Sequence, residues 1–129
     1  MTTDAELNCA AKKLKLRHFR GVFMSDELPE KPLSNECGIV NLKSSKFNGS
    51  HWTCWWKEGN NKYYFDSYGI RPSNEIVKYL HSPINYSSFQ IQQFSESNCG
   101  EWCLFVLDRL NKGYNYKDVI LKIINENTF

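Results

Sequence analysis

The sequence lacks several features that would assign it at once to a broad class of protein. None of its apolar runs approaches the roughly 18 residues that a membrane-spanning helix requires, so we expect no membrane association. The N-terminal residues Met1 to Glu6 are polar and acidic, so we expect no secretion signal. The formal net charge is only +2, which is too small to require nucleic acid or another polyanion as a partner.

The cysteines also lack the pattern of a disulfide framework or a structural zinc site. There are five of them, an odd number, and with no secretion signal expected we predict free thiols in a reducing compartment. No C-x-x-C pair occurs, and the i,i+4 pair Cys99 and Cys103 has no second pair to complete a zinc site. We therefore expect neither a metal nor a cofactor.

The composition and patterning that are present indicate one folded domain over residues 1–129. Hydrophobic residues make up 41% of the chain and aromatic residues 15%, enough to bury a core. Periodicity, turn residues and capping residues predict an α+β order of elements around a small mixed sheet. Helices are predicted over 4–15, 73–80, 99–112 and from 115 onward, and strands over 19–24, 36–42, 51–56, 63–66 and 86–92.

The clearest supersecondary signal is a hairpin with its turn in the cluster Lys57 to Lys62. If the loop has an even number of residues centred near Gly59 and Asn60, Asp66 lies opposite Thr53. Because side chains alternate along a strand, Asp66 and His51 then share one face of the sheet as diagonal neighbours. An odd loop would put them on opposite faces, so the prediction depends on the register.

The stretch that suggests chemistry begins at Cys99, at the start of a strongly apolar helix that we place in the centre of the domain. The field of a helix N-terminus stabilises a thiolate, so Cys99 is a candidate nucleophile, with His51 as general base and Asp66 to orient it. The backbone N–H of Cys99 and a side-chain amide of Gln92 or Gln93 are candidate oxyanion donors.

Each of these residues also has a structural interpretation. Cys99 is equally typical of a buried core cysteine, and Asp66 of a turn residue. His18 and His81 have no supporting residues nearby, so we interpret both as structural. The basic run from Lys12 to Arg20 is typical of a solvated face, and weak contact with nucleic acid is its alternative interpretation.

Five segments in order resemble the adenovirus-type cysteine endopeptidases, the adenain family, which share a fold with SUMO-specific proteases. They are Phe19 to Pro29, Glu36 to Asn41, the pair His51-Trp52, Phe65 to Gly69, and Gln92 to Gly100. The resemblance covers most of the chain. It implies a papain-like α+β domain in which the central helix carries the nucleophilic cysteine at its N-terminus.

The resemblance also implies a role for each site residue. Cys99 is the nucleophile, His51 the base and Asp66 the orienting acid. Gln92 is the oxyanion amide by the adenovirus spacing, whereas Gln93 fits the SUMO-protease spacing. The implied activity is endoproteolysis of virion precursor proteins through an acyl-enzyme thioester, by a monomer in the virion and the infected host cell. An isopeptidase specific for SUMO or ubiquitin-like proteins and a non-catalytic binding module are the alternatives.

Two departures from the adenovirus pattern limit what the resemblance implies. The adenovirus enzyme has Glu where this chain has Asp66, and the shorter side chain demands closer strands. The adenovirus enzyme is activated by a peptide disulfide-linked to a cysteine, and the corresponding stretch, Pro83 to Gln90, has none. We therefore do not expect this activation. The chain is also short for the family, so we do not expect stimulation by DNA either, and it looks most like the short versions found in virophages and in polinton- or adintovirus-like elements.

Overall fold

The computed structural model describes residues 3–43, 51–91 and 98–126. Its helices are α1 (Asp4–Lys13), α2 (Asn74–Leu80), α3 (Cys99–Asn111) and α4 (Tyr116–Glu126). Its strands are β1 (Phe19–Phe23), β2 (Asn35–Asn41), β3 (Trp52–Glu58), β4 (Asn61–Phe65) and β5 (Asn85–Tyr86). The predicted α+β class is confirmed. No helix in these three ranges has the length and apolar character needed to cross a membrane.

The strands form a mixed sheet in the spatial order β1-β2-β3-β4-β5. The three central strands, β2, β3 and β4, pair antiparallel with one another, and the two outer strands, β1 and β5, pair in parallel with β2 and β4. This order puts β3 in the middle of the sheet. His51 is the residue immediately before β3, so it lies beside the central strand of the sheet, which has two strands on each side.

Both faces of β3 are covered, as the alternation of its side chains requires. Trp52, Cys54 and Trp56 lie in a core with α1, α3 and α4, and α3 packs directly against β3. Trp55 points to the opposite face, where it packs with α2. One side of α3 is buried in the core, as expected for a central helix. Its other side is less covered, because Trp102, Leu104 and Phe105 are only half-buried.

A second core lies on the opposite face of the sheet, where Trp55 packs with α2. The buried carboxylate of Glu36 joins this second core to the strands. Oε1 of Glu36 accepts hydrogen bonds from Arg20 Nη1 (2.7 Å) and the Leu33 N–H (2.6 Å). Oε2 accepts from Trp55 Nε1 (2.8 Å) and the Tyr79 hydroxyl (2.7 Å). A charge this deeply buried is tolerated because donors satisfy both oxygens. Glu36 thereby connects three strands, helix α2 and the loop before β2.

Most predicted boundaries are off by one or two residues. The first helix ends at Lys13 rather than 15. The loop of the hairpin is Gly59 and Asn60, as predicted, and β3 and β4 extend into the turn cluster 57–62 as far as Glu58 and Asn61. Of the predicted strand 86–92, residue 92 lies outside the described residues, and the described part is a strand only at Asn85–Tyr86. Further along, the Ile91 N–H donates to the Ser67 carbonyl (2.9 Å) in the turn after β4.

Candidate active site

The register of the β3–β4 hairpin is the one predicted. Glu58 pairs with Asn61 and Cys54 with Phe65, so the loop consists of Gly59 and Asn60 alone. Gly59 has φ +59°, as the first central residue of a type II′ turn requires. One further step in this register brings Asp66 opposite the residue that follows Trp52 in β3, on the face that His51 shares.

His51 and Asp66 meet in a short hydrogen bond. His51 Nε2–H donates to Asp66 Oδ1 over 2.6 Å, and both side chains are almost completely buried. The Tyr68 N–H donates to the same oxygen (2.8 Å), which fixes the carboxylate within its turn. Because Nε2 is engaged in this way, Nδ1 is the ring nitrogen left for proton exchange with a substrate or a nucleophile.

The sulfur of Cys99 lies at the first residue of α3. The backbone N–H of Trp52 donates to Cys99 Sγ over 3.3 Å, which ties the helix to the start of β3. His51 Nδ1 makes no well-formed hydrogen bond within the described residues, yet Cys99 acts on the imidazole both through hydrogen bonding and through its charge. Such loosened contacts are common in unliganded sites and tighten when substrate binds.

The electrostatics favour an ion pair of thiolate and imidazolium. Burial by itself lowers the pKa of His51, but its interactions with Asp66 and Cys99 outweigh burial and raise that pKa to about 9. Burial by itself raises the pKa of Cys99, but His51 and the N–H groups of Trp52 and Gly100 bring it below its ordinary value. These interactions therefore shift the proton of the pair from Cys99 towards His51.

Two other buried thiols, those of Cys103 and Cys37, have raised pKa values instead. Cys103, one turn beyond Cys99, donates to the Trp52 carbonyl (3.4 Å), and its burial beside Cys54 raises its pKa. Burial also raises the pKa of Cys37 to about 12. All five cysteines are free thiols. Burial alone thus does not distinguish Cys99 from the core cysteines, and the proximity of His51 does.

Sequence reasoning missed Tyr68, which completes the surroundings of His51. Its ring stacks on the imidazole with centroids 3.7 Å apart and planes at 5°. The position of Tyr68 two residues after Asp66 is a weak signal that becomes informative only once the turn places its ring on His51.

The remaining candidates lie apart from the site or outside the described residues. Gln92 and Gln93 fall outside the described residues, so their role stays a prediction. His18 and His81 are exposed and have φ angles of +58° and +65°. Within the basic run, Arg20 is paired with Glu36, whereas the three lysines are exposed. In the part of the chain that the structure describes, no three His, Cys, Asp or Glu residues form a cluster that could hold a metal ion.

A mixed sheet that carries His51 and Asp66 beside a helix beginning with Cys99 is the arrangement of the papain-like cysteine-protease folds. No family model and no curated protein matches the chain. Solved structures do match, among them two of the ASFV pS273R protease. One gives a TM-score of 0.62 at 16% identity over 92% of this chain, and the other, of a selenomethionine form, 0.53 at 20% over 70%.

This likeness shows the fold: the chain has the SUMO-protease-like fold of a viral cysteine protease. The matches cover 60% and 39% of the two pS273R chains, so this chain spans well under two thirds of their length. At identities of 16% and 20% the comparison carries the architecture alone.

Proposed function

We propose that this protein is a viral or virus-like cysteine endopeptidase that uses Cys99, His51 and Asp66. The observation that carries the proposal is the short His51–Asp66 hydrogen bond beside a thiol with a lowered pKa. A structural cysteine in a core has no need of a protonated histidine beside it, and Cys103 and Cys37 illustrate that alternative. The protease fold of the similar structures supports the same proposal.

The proposed reaction follows from the charges of the pair. The Cys99 thiolate attacks the carbonyl carbon of the scissile peptide and forms a tetrahedral oxyanion. The His51 imidazolium donates its proton to the leaving amine as the C–N bond breaks, which leaves a thioester. Neutral His51 then takes a proton from water, whose oxygen attacks the thioester carbonyl, and the thiolate leaves as the acid product forms. Asp66 holds the ring throughout.

The oxyanion needs donors aimed at the position where its charge develops. As the first residue of α3, Cys99 has a backbone N–H without an intrahelical acceptor. We assign the second donor to the side-chain amide of Gln92, with Gln93 as the alternative. Loss of one such donor typically lowers the rate by about 100- to 1,000-fold.

The proposed substrates are virion precursor proteins such as capsid or core components, cut near small residues such as glycine. This part of the proposal comes from the adenain resemblance and is consistent with a fold found in a viral protease. It includes action as a monomer within virions or infected cells. The basic run from Lys12 to Arg20 would contribute at most weak contact with nucleic acid.

The test is incubation with the structural proteins encoded beside this chain, followed by mass spectrometry of new protein termini. We expect cleavage by the native chain and by Cys9→Ala, which removes an exposed thiol, and none by Cys99→Ala. Cleavage that persists in Cys99→Ala would refute the proposal. A SUMO or ubiquitin-like protein with a C-terminal electrophile provides a second arm, because labelling of Cys99 by that probe without endoproteolysis would identify an isopeptidase.

The third possibility, a non-catalytic binding module on the same fold, predicts neither cleavage nor labelling. It also predicts a Cys99 thiol with an ordinary pKa, contrary to the direction that its surroundings impose.

A further inference from the structure

A polar cavity of about 460 Å³ lies at the end of the sheet away from the candidate active site. Its walls include the last residues of β3, the connection from α1 to β1 and the connection from α3 to α4. His51 precedes β3 and Cys99 begins α3, so the cavity and the catalytic pair lie at opposite ends of one strand and one helix. Pockets for small organic ligands typically measure roughly 300 to 1,000 Å³, so this cavity is large enough for one.

Two cations of the cavity wall, Arg17 and Lys57, are held in place by neutral acceptors. Arg17 donates from Nε to Asn111 Oδ1 (3.1 Å) and from Nη2 to the Asn111 carbonyl (2.8 Å), which leaves Nη1 without a partner in the described part of the chain. Lys57 Nζ donates to the carbonyls of Leu33 (2.8 Å) and Ser34 (3.3 Å), and one of its three N–H groups remains. Neither side chain forms an ion pair with a described carboxylate. Both positive charges are therefore positioned but not neutralised.

The other polar side chains of the cavity wall have already used most of their acceptors. Asn35 Oδ1 and Asn115 Oδ1 each accept from a backbone N–H (3.3 and 2.8 Å), which leaves the NH₂ group of each amide. Both oxygens of Glu36 are occupied, and Glu58 Oε1 accepts from Trp56 Nε1 (2.6 Å). The hydrogen-bonding capacity left in the wall is therefore mainly that of donors, opposed by Glu58 Oε2. A ligand rich in acceptors and in negative charge fits such a wall.

The backbone around Arg17 has an unusual conformation. Lys15 and His18 have φ angles of +54° and +58°, in the left-handed region that residues other than glycine seldom adopt. The Arg17 N–H also donates to Asn111 Oδ1 (3.0 Å), so backbone and side chain together hold Arg17 against the end of α3. Strained backbone of this kind is found where ligands are held in place.

An exposed aromatic ring stands at the rim of the cavity. Tyr114 lines the cavity and is 55% exposed. The Arg109 guanidinium lies over the ring, 5.8 Å from its centroid, and the remaining surface of the ring is open to a planar group. Bases of any identity stack favourably on such rings.

We propose that this cavity binds a small phosphate-bearing ligand of the nucleotide type, with its phosphate groups on Arg17 and Lys57 and its base against Tyr114. A diphosphate suits the wall because it offers several charged acceptor oxygens to cations and amides placed around one cavity. The proposal is independent of the protease function, because neither His51 nor Cys99 takes part in it.

The first experiment is isothermal titration calorimetry of the native chain with ADP, inorganic pyrophosphate, adenosine and citrate, at an ionic strength of about 0.15 M. We expect a Kd for ADP between about 1 μM and 1 mM, weaker binding of pyrophosphate and no binding of adenosine. Absence of ADP binding in this range would overturn the proposal. Citrate binding as tight as that of ADP would overturn the assignment to phosphate, and pyrophosphate binding as tight as that of ADP would overturn the role of the base.

Variants then test the named contacts. Arg17→Met and Lys57→Met each remove one charge of the wall, and we expect each to weaken ADP binding by about tenfold or more. The matched control Lys13→Met removes a charge from the exposed end of α1, outside the cavity, and should change the Kd by no more than about twofold. Tyr114→Ala should weaken ADP binding by about fivefold or more and leave pyrophosphate binding unchanged.

Circular dichroism checks that each variant is folded. Arg17→Met also loses its bond to the end of α3, so Lys57→Met decides the outcome if Arg17→Met fails to fold. An equal loss of affinity in Lys13→Met would mean that the anion is attracted by the overall charge of the surface, which would overturn the proposal.

Backbone amide chemical shifts locate the ligand without any substitution. We expect the largest changes on ADP binding at residues 17–18, 57–58 and 114–116. Changes centred on the first turn of α3, where a helix N-terminus could also attract an anion, would overturn the proposal. Peptide cleavage enters none of these measurements, so failure of the protease proposal and failure of this one are separate outcomes.

Discussion

The imidazole of His51 and the carboxylate of Asp66 lie 2.6 Å apart although 15 residues separate them in the chain. The two-residue turn at Gly59 and Asn60 sets this distance, because it fixes which residues of β3 and β4 lie side by side. Insertion of one residue in that turn would move Asp66 to the other face of the sheet. The chemistry proposed for Cys99 therefore depends on a turn that lies five residue pairs along the β3–β4 ladder from Asp66.

The first prediction concerns the charge of Asp66. Asp66→Asn keeps the size of the side chain but removes the negative charge that raises the pKa of His51. We expect kcat/KM to fall by about 10³- to 10⁴-fold, in line with the equivalent change in serine proteases. The thiolate absorbance at pH 7 should fall as well, because Cys99 loses its charged partner.

The matched control for Asp66→Asn is Asp118→Asn, which alters an exposed carboxylate at the start of α4. It should leave both readouts unchanged. Full thiolate absorbance in Asp66→Asn would mean that Asp66 does not hold the proton on His51.

The second prediction is the pH dependence of the native chain. Cys99 must be deprotonated, which occurs above its lowered pKa, and His51 must be protonated, which occurs below about pH 9. Cleavage should therefore rise as the pH increases through the pKa of Cys99 and fall as the pH passes about 9. Measurement of kcat/KM from acid to alkaline pH tests this. An alkaline limb near the ordinary histidine pKa of about 6.5 would contradict it.

Local signals were sufficient to predict the parts of the site that lie close in sequence or on regular elements. The Gly59-Asn60 turn determined the register, and with it the meeting of His51 and Asp66. The apolar run after Cys99 predicted the helix that begins there. Each of these rests on a short-range rule, namely turn chemistry, strand alternation or helical periodicity.

Features that depend on tertiary contacts were not predictable in this way. Nothing in the run Phe65 to Gly69 says that the Tyr68 ring will cover His51, since that depends on how the turn folds back. Glu36 looks like an ordinary strand residue until Tyr79 and Trp55 converge on it. In the described part of the strand predicted over 86–92, only Tyr86 is in a strand, and Ile91 bonds to the turn at Ser67 rather than to a neighbouring strand.

The third prediction concerns Gly69, which has φ +72° and allows the chain at 88–90 to pass close by. A Cβ at Gly69 would lie 2.7 Å from the Ser88 carbonyl oxygen and 2.9 Å from the Gln90 nitrogen, both backbone atoms that cannot rotate away. Gly69→Ala should therefore displace the segment that leads into Gln92. We expect kcat/KM to fall by about tenfold or more, towards the loss typical for an oxyanion donor.

Gly113→Ala is the control for this change, because Gly113 also has a positive φ (+98°) but a Cβ there meets no atom within 4 Å. Backbone strain should cost both variants roughly 1 to 2 kcal/mol of unfolding free energy, and the overlap with the backbone of 88–90 should add to this cost in Gly69→Ala. Only Gly69→Ala should lose activity in the folded protein. Equal activities in the two variants would show that close packing at Gly69 does not position the segment before Gln92.

The fourth prediction concerns Glu36, whose two oxygens each accept two hydrogen bonds. In Glu36→Gln one oxygen becomes an NH₂ group. It faces either the Trp55 N–H, which can only donate, and the Tyr79 hydroxyl, which would have to turn its proton away, or the Arg20 and Leu33 donors. We expect a loss of roughly 2 to 4 kcal/mol in unfolding free energy, moderated because the Arg20 guanidinium still reaches water.

Urea denaturation measures this loss, and Lys112→Ala supplies the comparison. Lys112 pairs with Asp108 at 3.1 Å, but its side chain is 57% exposed, so that removal of this pair should cost no more than about 0.5 kcal/mol. A similar cost in both variants would mean that the Glu36 bonds are no stronger than a solvated ion pair. Because Glu36 touches neither His51 nor Cys99, kcat/KM of folded Glu36→Gln should stay near the native value. A catalytic loss in that variant would instead indicate that the second core holds the β3 residues that carry the site.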